Sequence, residues 1–222
     1  MSTASVAAIV AAGGSGDRAR DLHDERPKQF RPLRGRALWE WSFDVLRELC
    51  DPVIVVAPVG LVGELGDRGI RAVPGGDTRQ GSIANGLAHV VSEYVVIHDA
   101  ARPFVTVDVV RSAIDALDHA DGSFAAIPVR ETLAHVRDGA MTGVVPRAAI
   151  LSVQTPQAFW TASLKDAHAK ALAEEIVDAT DDAQLVAKYG YKVVPIQGDA
   201  RNLKVTYQED FDLADALLAR NG

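Results

Sequence analysis

The sequence predicts an α/β fold built on a mostly parallel sheet with helices on both faces. Three observations carry that expectation. Short apolar runs suited to buried strands alternate with segments of helical periodicity, joined by short connections. The runs show no polar alternation, so each strand needs cover on both sides. Glycine and polar residues gather where the runs end, and open α/β sheets bind ligands outside the carboxyl ends of their strands.

The elements follow in order. Residues 6–10 (Val-Ala-Ala-Ile-Val) form the first strand, which stops at Gly13-Gly14-Ser15-Gly16. Leu38, Trp41, Val45, Leu46 and Leu49 recur at helical spacing and predict a helix over 37–49. Pro52 introduces a strand over 53–57, and a short third strand covers 70–73 before Pro74-Gly75-Gly76-Asp77. Ile83, Leu87 and Val90 make one apolar stripe, hence a helix over 81–90. The run 94–98 is the central strand and leads into Asp99. A helix over 107–117 and a strand over 123–129 follow. Residues 130–153 break the rhythm with weak periodicity and several polar residues, so they are expected to leave the sheet as a β-arm. Residues 159–173 and 182–189 are expected to be helical, 191–196 a late strand and 209–219 the closing helix. No repeat, linker or low-complexity segment appears, and residues 1–222 are expected to form one domain.

Composition removes several functional classes. The 222 residues include 23 Lys+Arg and 30 Asp+Glu, a net charge of −7. Without a basic stretch, that balance argues against general nucleic-acid binding. One cysteine, Cys50, leaves no disulfide framework and no Cys-based zinc site. The longest apolar run, residues 6–12, falls far short of the roughly 20 residues that span a bilayer. No basic segment precedes it, so no secretory signal is expected. The expected location is the cytoplasm, with no membrane partner.

The first strand-end loop has two readings. Gly14, Gly16 and Ala19 fit the G-x-G-x-x-G/A dinucleotide fingerprint. That fingerprint needs a helix of several turns and an acidic residue about 20 positions on. Pro27 interrupts, and the acidic position falls among Arg34, Gly35 and Arg36. A P-loop is excluded because no Gly-Lys-Ser/Thr follows. The remaining choice lies between a solvated surface loop and a backbone cradle for an anion, flanked by Arg18 and by Lys28 of Pro27-Lys28-Gln29-Phe30. Ser82 either caps a helix or donates to a ligand. Asp99 either pairs locally with Arg102 or reaches a ribose, a metal or a metal-bound phosphate. His89, His119, His135 and His168 have no metal-ligand spacing and are expected to face solvent, and no Ser-His-Asp or Cys-His arrangement is evident.

Seven motifs occur in a fixed order: Gly13-Gly14-Ser15-Gly16-x-Arg18, Pro27-Lys28-Gln29-Phe30, Gly75-Gly76-Asp77-x-Arg79-Gln80-x-Ser82, His98-Asp99-Ala100-Ala101-Arg102-Pro103, Gln154-Thr155-Pro156-Gln157, Thr180-Asp181-Asp182-Ala183 and Lys204-Val205-Thr206. Together they resemble the 2-C-methyl-D-erythritol 4-phosphate cytidylyltransferases of the non-mevalonate isoprenoid pathway, over about residues 6–217. The resemblance implies a Rossmann-like nucleotidyltransferase fold, with CTP and a polyol phosphate as substrates and Mg²⁺ as cofactor. It assigns transition-state stabilisation to Arg18 and Lys28. CTP would be held by Ala11, Ala12, Gly13, Gly14, Ser15, Gly16, Gly76, Asp77, Ser82 and Ala100. The acceptor would meet Arg102, Thr132, Arg147, Thr155, Thr180 and Lys204, with Asp99 near the metal. It also implies a homodimer in which arm 130–153, carrying Thr132 and Arg147, crosses to the partner.

The chain departs from the family pattern in places. Ala11-Ala12-Gly13-Gly14 stands where Pro-Ala-Ala-Gly is usual, and the connection from Arg18 to Lys28 is longer. Leu133-Ala134-His135 stands where a lysine is common, and Ala148 and Ala149 make the acceptor side plainer. Two alternatives share the nucleotide site: a ribitol 5-phosphate cytidylyltransferase and a nucleotide-binding module without turnover.

Overall fold

The computed structural model describes residues 4–14 and 26–219. Its frame is a seven-stranded sheet of β1 (Val6–Ala11), β4 (Val53–Ala57), β5 (Ala72–Pro74), β6 (Tyr94–Asp99), β7 (Gly122–Pro128), β10 (Leu151–Trp160) and β11 (Val193–Gln197). Across the sheet the strands lie in the order β11-β7-β10-β6-β1-β4-β5. All pairings are parallel except those of β10, which runs antiparallel to both β6 and β7. The mostly parallel α/β sheet expected from the sequence is therefore present.

Helices cover both faces, as unalternated strands require. On one face, α3 (Arg79–Leu87), α5 (Thr161–Ala173) and α6 (Asp182–Lys188) pack Ile83, Leu87, Leu164, Leu185 and Val186 against Ile9, Ile54, Val56 and Ile97. On the other, α1 (Leu38–Leu46), α2 (Val59–Asp67) and α4 (Val107–Asp115) pack Trp39, Leu46, Leu65 and Val110 against Ala8, Val10, Val55 and Val96. Adjacent residues of β1 and β4 thus serve opposite cores, the period of two that a strand imposes. Full burial of a side chain such as Ile9 or Phe159 contributes about 1.5–3 kcal/mol. The closing helix α7 (Gln208–Ala219) sits against the small ribbon of β2 (Pro32–Leu33) and β3 (Arg36–Ala37) and the start of α1, its Phe211 and Ala214 clustering with Leu33 and Leu38.

Helix α2 and strand β10 differ most from the sequence reading, which also lacks the β2–β3 ribbon. Helix α2 is absent from that reading, because Gly60, Gly63 and Gly66 argue against a helix; it forms because Pro58 starts it and Leu65 is buried against the sheet. The sequence reading ends an arm at residue 153 and starts a helix at 159, leaving 154–158 unassigned, yet residues 151–160 form β10 inside the sheet, between β7 and β6. Pro156 disguises this strand, since proline is rare in a central strand. The ladder accommodates it by a register shift between Val153 and Gln157. The rest of the excursion is a hairpin of β8 (Ala134–Arg137) and β9 (Ala140–Val144), which forms its own two-stranded sheet.

Chain order reverses at β1. From β1 the chain moves outward to β4 and β5, then returns to place β6 on the other side of β1. Ala11 and Asp99 are register partners at the carboxyl ends of this pair. Such a switch point opens a crevice, the usual ligand position in open α/β sheets.

Candidate active site

The crevice holds a cavity of about 670 Å³. The end of β1 and the loop beyond it give Ala11, Gly13 and Gly14; the loop after β5 and the start of α3 give Gly76, Asp77, Thr78, Arg79 and Ser82; the end of β6 and the loop beyond it give Asp99 and Ala101. Lys28 and Gln29, from a short 3-10 turn (Lys28–Phe30), and Lys204 complete the wall.

Close backbone approach explains the glycines after β1 and β5. A Cβ on Gly13 would lie 3.1 Å from Ser82 Oγ and 3.2 Å from the Cα of Gly75. Only hydrogen at both positions lets the two loops touch. Ser82 Oγ accepts the Gly76 N–H at 3.1 Å, fastening the loop to α3. Thr78 caps α3 instead, its hydroxyl accepting the Gly81 N–H at 3.0 Å. Ser82 is thus neither the cap nor an idle donor.

Asp99 is the acidic floor. Its Oδ2 accepts from Lys204 Nζ at 2.6 Å, and Arg79 Nε lies 3.5 Å from Oδ1. Burial opposes ionisation of this carboxyl, but Lys204 and Arg79 outweigh it and hold it well below the usual carboxylate range. The expected alternative, a local Asp99–Arg102 ion pair, does not form. Arg102 instead donates from Nη1 to the Asn202 carbonyl at 2.8 Å and from Nη2 to the Val153 carbonyl at 3.5 Å.

His98 and Thr155 fix the end of β6 from behind. Thr155 Oγ1 accepts the Asp99 N–H at 3.0 Å and lies 3.1 Å from His98 Nδ1. His98 Nε2 faces the Arg102 carbonyl at 3.0 Å. A carbonyl only accepts, so Nε2 carries the proton and Nδ1 accepts the Thr155 hydroxyl. Burial pushes the His98 pKa down to about 4 despite that carbonyl contact. The side chain is a neutral strut.

A profile of the family described as "IspD: 2-C-methyl-D-erythritol 4-phosphate cytidylyltransferase" matches residues 6–220. The chain belongs to this cytidylyltransferase family. A relative of that name from Deinococcus radiodurans is 41% identical, over 95% of this chain and 88% of its own length. One from Thermus thermophilus is 37% identical, over 96% of each. The crystal structure of a Thermus thermophilus cytidylyltransferase of this name superimposes with a TM-score of 0.84 at 36% identity, covering 97% of this chain and 99% of that one. The structure from Anaerococcus prevotii gives 0.83 at 29% identity, with 97% and 99% coverage.

The residues that the resemblance selects divide into groups within this cytidylyltransferase fold. Ala11, Gly13, Gly14, Lys28, Gly76, Asp77, Ser82, Asp99 and Lys204 share the cavity. Ala12 and Ala100 are buried just behind it. Thr155 and Arg102 support its floor through the bonds above. Thr180 is exposed and donates to Gln184 Oε1 at 3.1 Å. Thr132 and Arg147 lie exposed on the arm, where the Arg147 side chain donates to the Arg130 carbonyl. Ser15, Gly16 and Arg18 lie outside the described residues.

Other residues at the cavity carry no role in the sequence reading. Gln29, Thr78, Arg79 and Ala101 line the cavity. Gln29, Arg79 and Ala101 belong to the quoted motifs, and their place beside assigned residues is the available signal. Asn202, almost fully buried, donates to the Thr155 carbonyl at 2.8 Å while its own carbonyl receives Arg102. His168, expected to face solvent, is buried and bonded to Asp182. Its place on the inner face of α5, beside Leu164 and Ala171, explains the difference.

Proposed function

We infer that the protein transfers the cytidylyl group of CTP to the phosphate of 2-C-methyl-D-erythritol 4-phosphate and releases pyrophosphate. The observation that carries this reading is the cavity at the β1–β6 switch point of a family member, where glycine backbone, Lys28, Lys204 and Asp99 converge. A phosphate oxygen of the acceptor attacks the α-phosphorus of CTP, and the bond from that phosphorus to the oxygen bridging to the β-phosphate breaks. A phosphomonoester has a second pKa of about 6, so the attacking oxygen is already ionised at neutral pH. No general base is needed, which suits a site whose buried histidine has both nitrogens engaged.

The barrier is electrostatic, because one anion approaches another. Lys28 stands in the cavity, and Arg18 is assigned the matching role on the glycine loop. Preformed donors of this kind contribute on the order of 3–4 kcal/mol each to transition-state stabilisation. Gly76, Asp77 and Ser82 read the base and ribose, with Ser82 holding the loop in shape. Lys204 and Arg102 receive the acceptor phosphate, with Thr155 keeping the floor in register.

Mg²⁺ fits the donor set. Asp99, an ionised carboxylate of the cavity wall now paired with Lys204 and Arg79, and Asp77 on the neighbouring wall would hold it, since Mg²⁺ usually takes one or two carboxylates together with substrate phosphates. When bound, it would offset phosphate charge as a Lewis acid. The working unit is a homodimer through the arm, whose part outside the main sheet ends before Leu151. Support comes from Val136, Met141 and Val144, all exposed on the hairpin, a patch that a partner would cover. Among the described residues no helix is long and apolar enough to cross a membrane. We place the reaction in the cytoplasm, in keeping with a single, buried, free cysteine.

Pyrophosphate release tests the acceptor. Purified protein with Mg²⁺ and CTP is expected to release it with methylerythritol 4-phosphate, and not with ribitol 5-phosphate or with no acceptor. Release with ribitol 5-phosphate alone would reassign the acceptor side.

A further inference from the structure

Arg79 leads out of the cavity into a buried chain of polar groups. Its Nη1 donates to Asp182 Oδ2 at 2.7 Å, and Asp182 Oδ1 lies 3.0 Å from His168 Nε2. A carboxylate accepts, so His168 Nε2 carries the proton. One guanidinium therefore stands between a carboxylate inside the site, Asp99, and one outside it, Asp182. Asp182 is 2% exposed and His168 8%. The next residue repeats the connection. Gln80 Nε2 donates to the Ile176 carbonyl at 2.7 Å, and Gln80 Oε1 accepts the Ala179 N–H at 3.0 Å. The first two residues of α3 are thus clamped to the segment 176–182, which in turn rests on α5 through His168.

This clamp bears on nucleotide binding, a step that rests on the cytidylyltransferase reading. Arg79 directly follows Gly76-Asp77-Thr78, the loop assigned to the base, and lines the cavity itself. An arginine has many rotamers, and here the closer of the two carboxylates that hold its head, Asp182 at 2.7 Å against Asp99 at 3.5 Å, lies outside the site. Asp182 holds it with one oxygen while its other is occupied by His168. Without His168, one oxygen of a buried carboxylate loses its partner, a costly state that Asp182 relieves by moving. Arg79 would then shift towards Asp99 and compete with Lys204.

We infer that His168 and Asp182 are positioning residues for nucleotide binding, acting through Arg79 on the cavity wall and on the loop that precedes it. CTP affinity by calorimetry and steady-state kinetics are compared for the wild type, His168→Leu, Asp182→Asn and His168→Gln. His168→Leu and Asp182→Asn are expected to raise the Kd and KM for CTP about tenfold, with kcat within about threefold. His168→Gln, whose amide nitrogen can still donate to Asp182, is expected to bind CTP like the wild type. A merely structural role would not produce that rescue or that split. The inference is overturned if His168→Leu binds CTP within twofold of the wild type, if His168→Gln is as weak as His168→Leu, or if kcat falls at unchanged affinity. Should His168→Leu fail to fold, Asp182→Asn against His168→Gln applies the same criteria. A wild type that binds no CTP would instead remove the cytidylyltransferase reading on which the inference rests.

Discussion

At the residue scale, His98 shows how the strand end is kept rigid without being charged. Its folded pKa, about 4, lies below the ordinary value of 6.5. Above pH 6.5 the ring is neutral in both folded and unfolded chains, and the stability it contributes is fully present. As pH falls towards 4, only the unfolded chain gains a proton, so that stability is lost, about 3 kcal/mol across the window. Nitrogen-detected NMR is expected to show an Nε2–H tautomer that protonates only near pH 4; a midpoint near 6.5 would contradict the assignment. The residues at strand ends are legible in the sequence because glycines, Lys28 and Asp99 stand in short motifs beside apolar runs. The contacts that Arg79 and His168 make with Asp182 are not, because residues so far apart in the chain meet only after folding.

At the scale of elements, the site depends on how closely the loop after β1 meets the start of α3. Gly13→Ala places a methyl 3.2 Å from the Gly75 backbone, which cannot rotate away, and 3.1 Å from the Ser82 hydroxyl that holds Gly76. Overpacking of this kind costs about 1–3 kcal/mol. The variant is expected to bind CTP about tenfold more weakly by calorimetry; unchanged affinity would show that the two loops need not touch. Strand runs without alternation make β1, β4 and β6 plain in the sequence, and the apolar stripe of Ile83 and Leu87 does the same for α3. Local composition conceals α2 with its three glycines and β10 with Pro156. Both form because tertiary burial outweighs propensity.

At the scale of the whole molecule, the switch point of the sheet gathers loops from β1, β5 and β6 into one cavity, while the arm projects elsewhere. Thr132 and Arg147 sit on that arm and do not line the cavity of their own chain, so the acceptor side is expected to be completed by a partner. Replacing residues 133–145 with a short Gly-Ser turn is expected to give a monomer by sedimentation that still binds CTP but no longer transfers. A dimer that persists, or a fully active monomer, would contradict the arm's role. Phosphorus NMR of the reaction follows transfer to the acceptor phosphate itself. With CTP, Mg²⁺ and methylerythritol 4-phosphate, the acceptor's monoester signal is expected to give way to a pair of coupled diphosphate doublets while pyrophosphate accumulates. CMP and pyrophosphate with the monoester signal unchanged, or CTP left intact, would contradict that transfer.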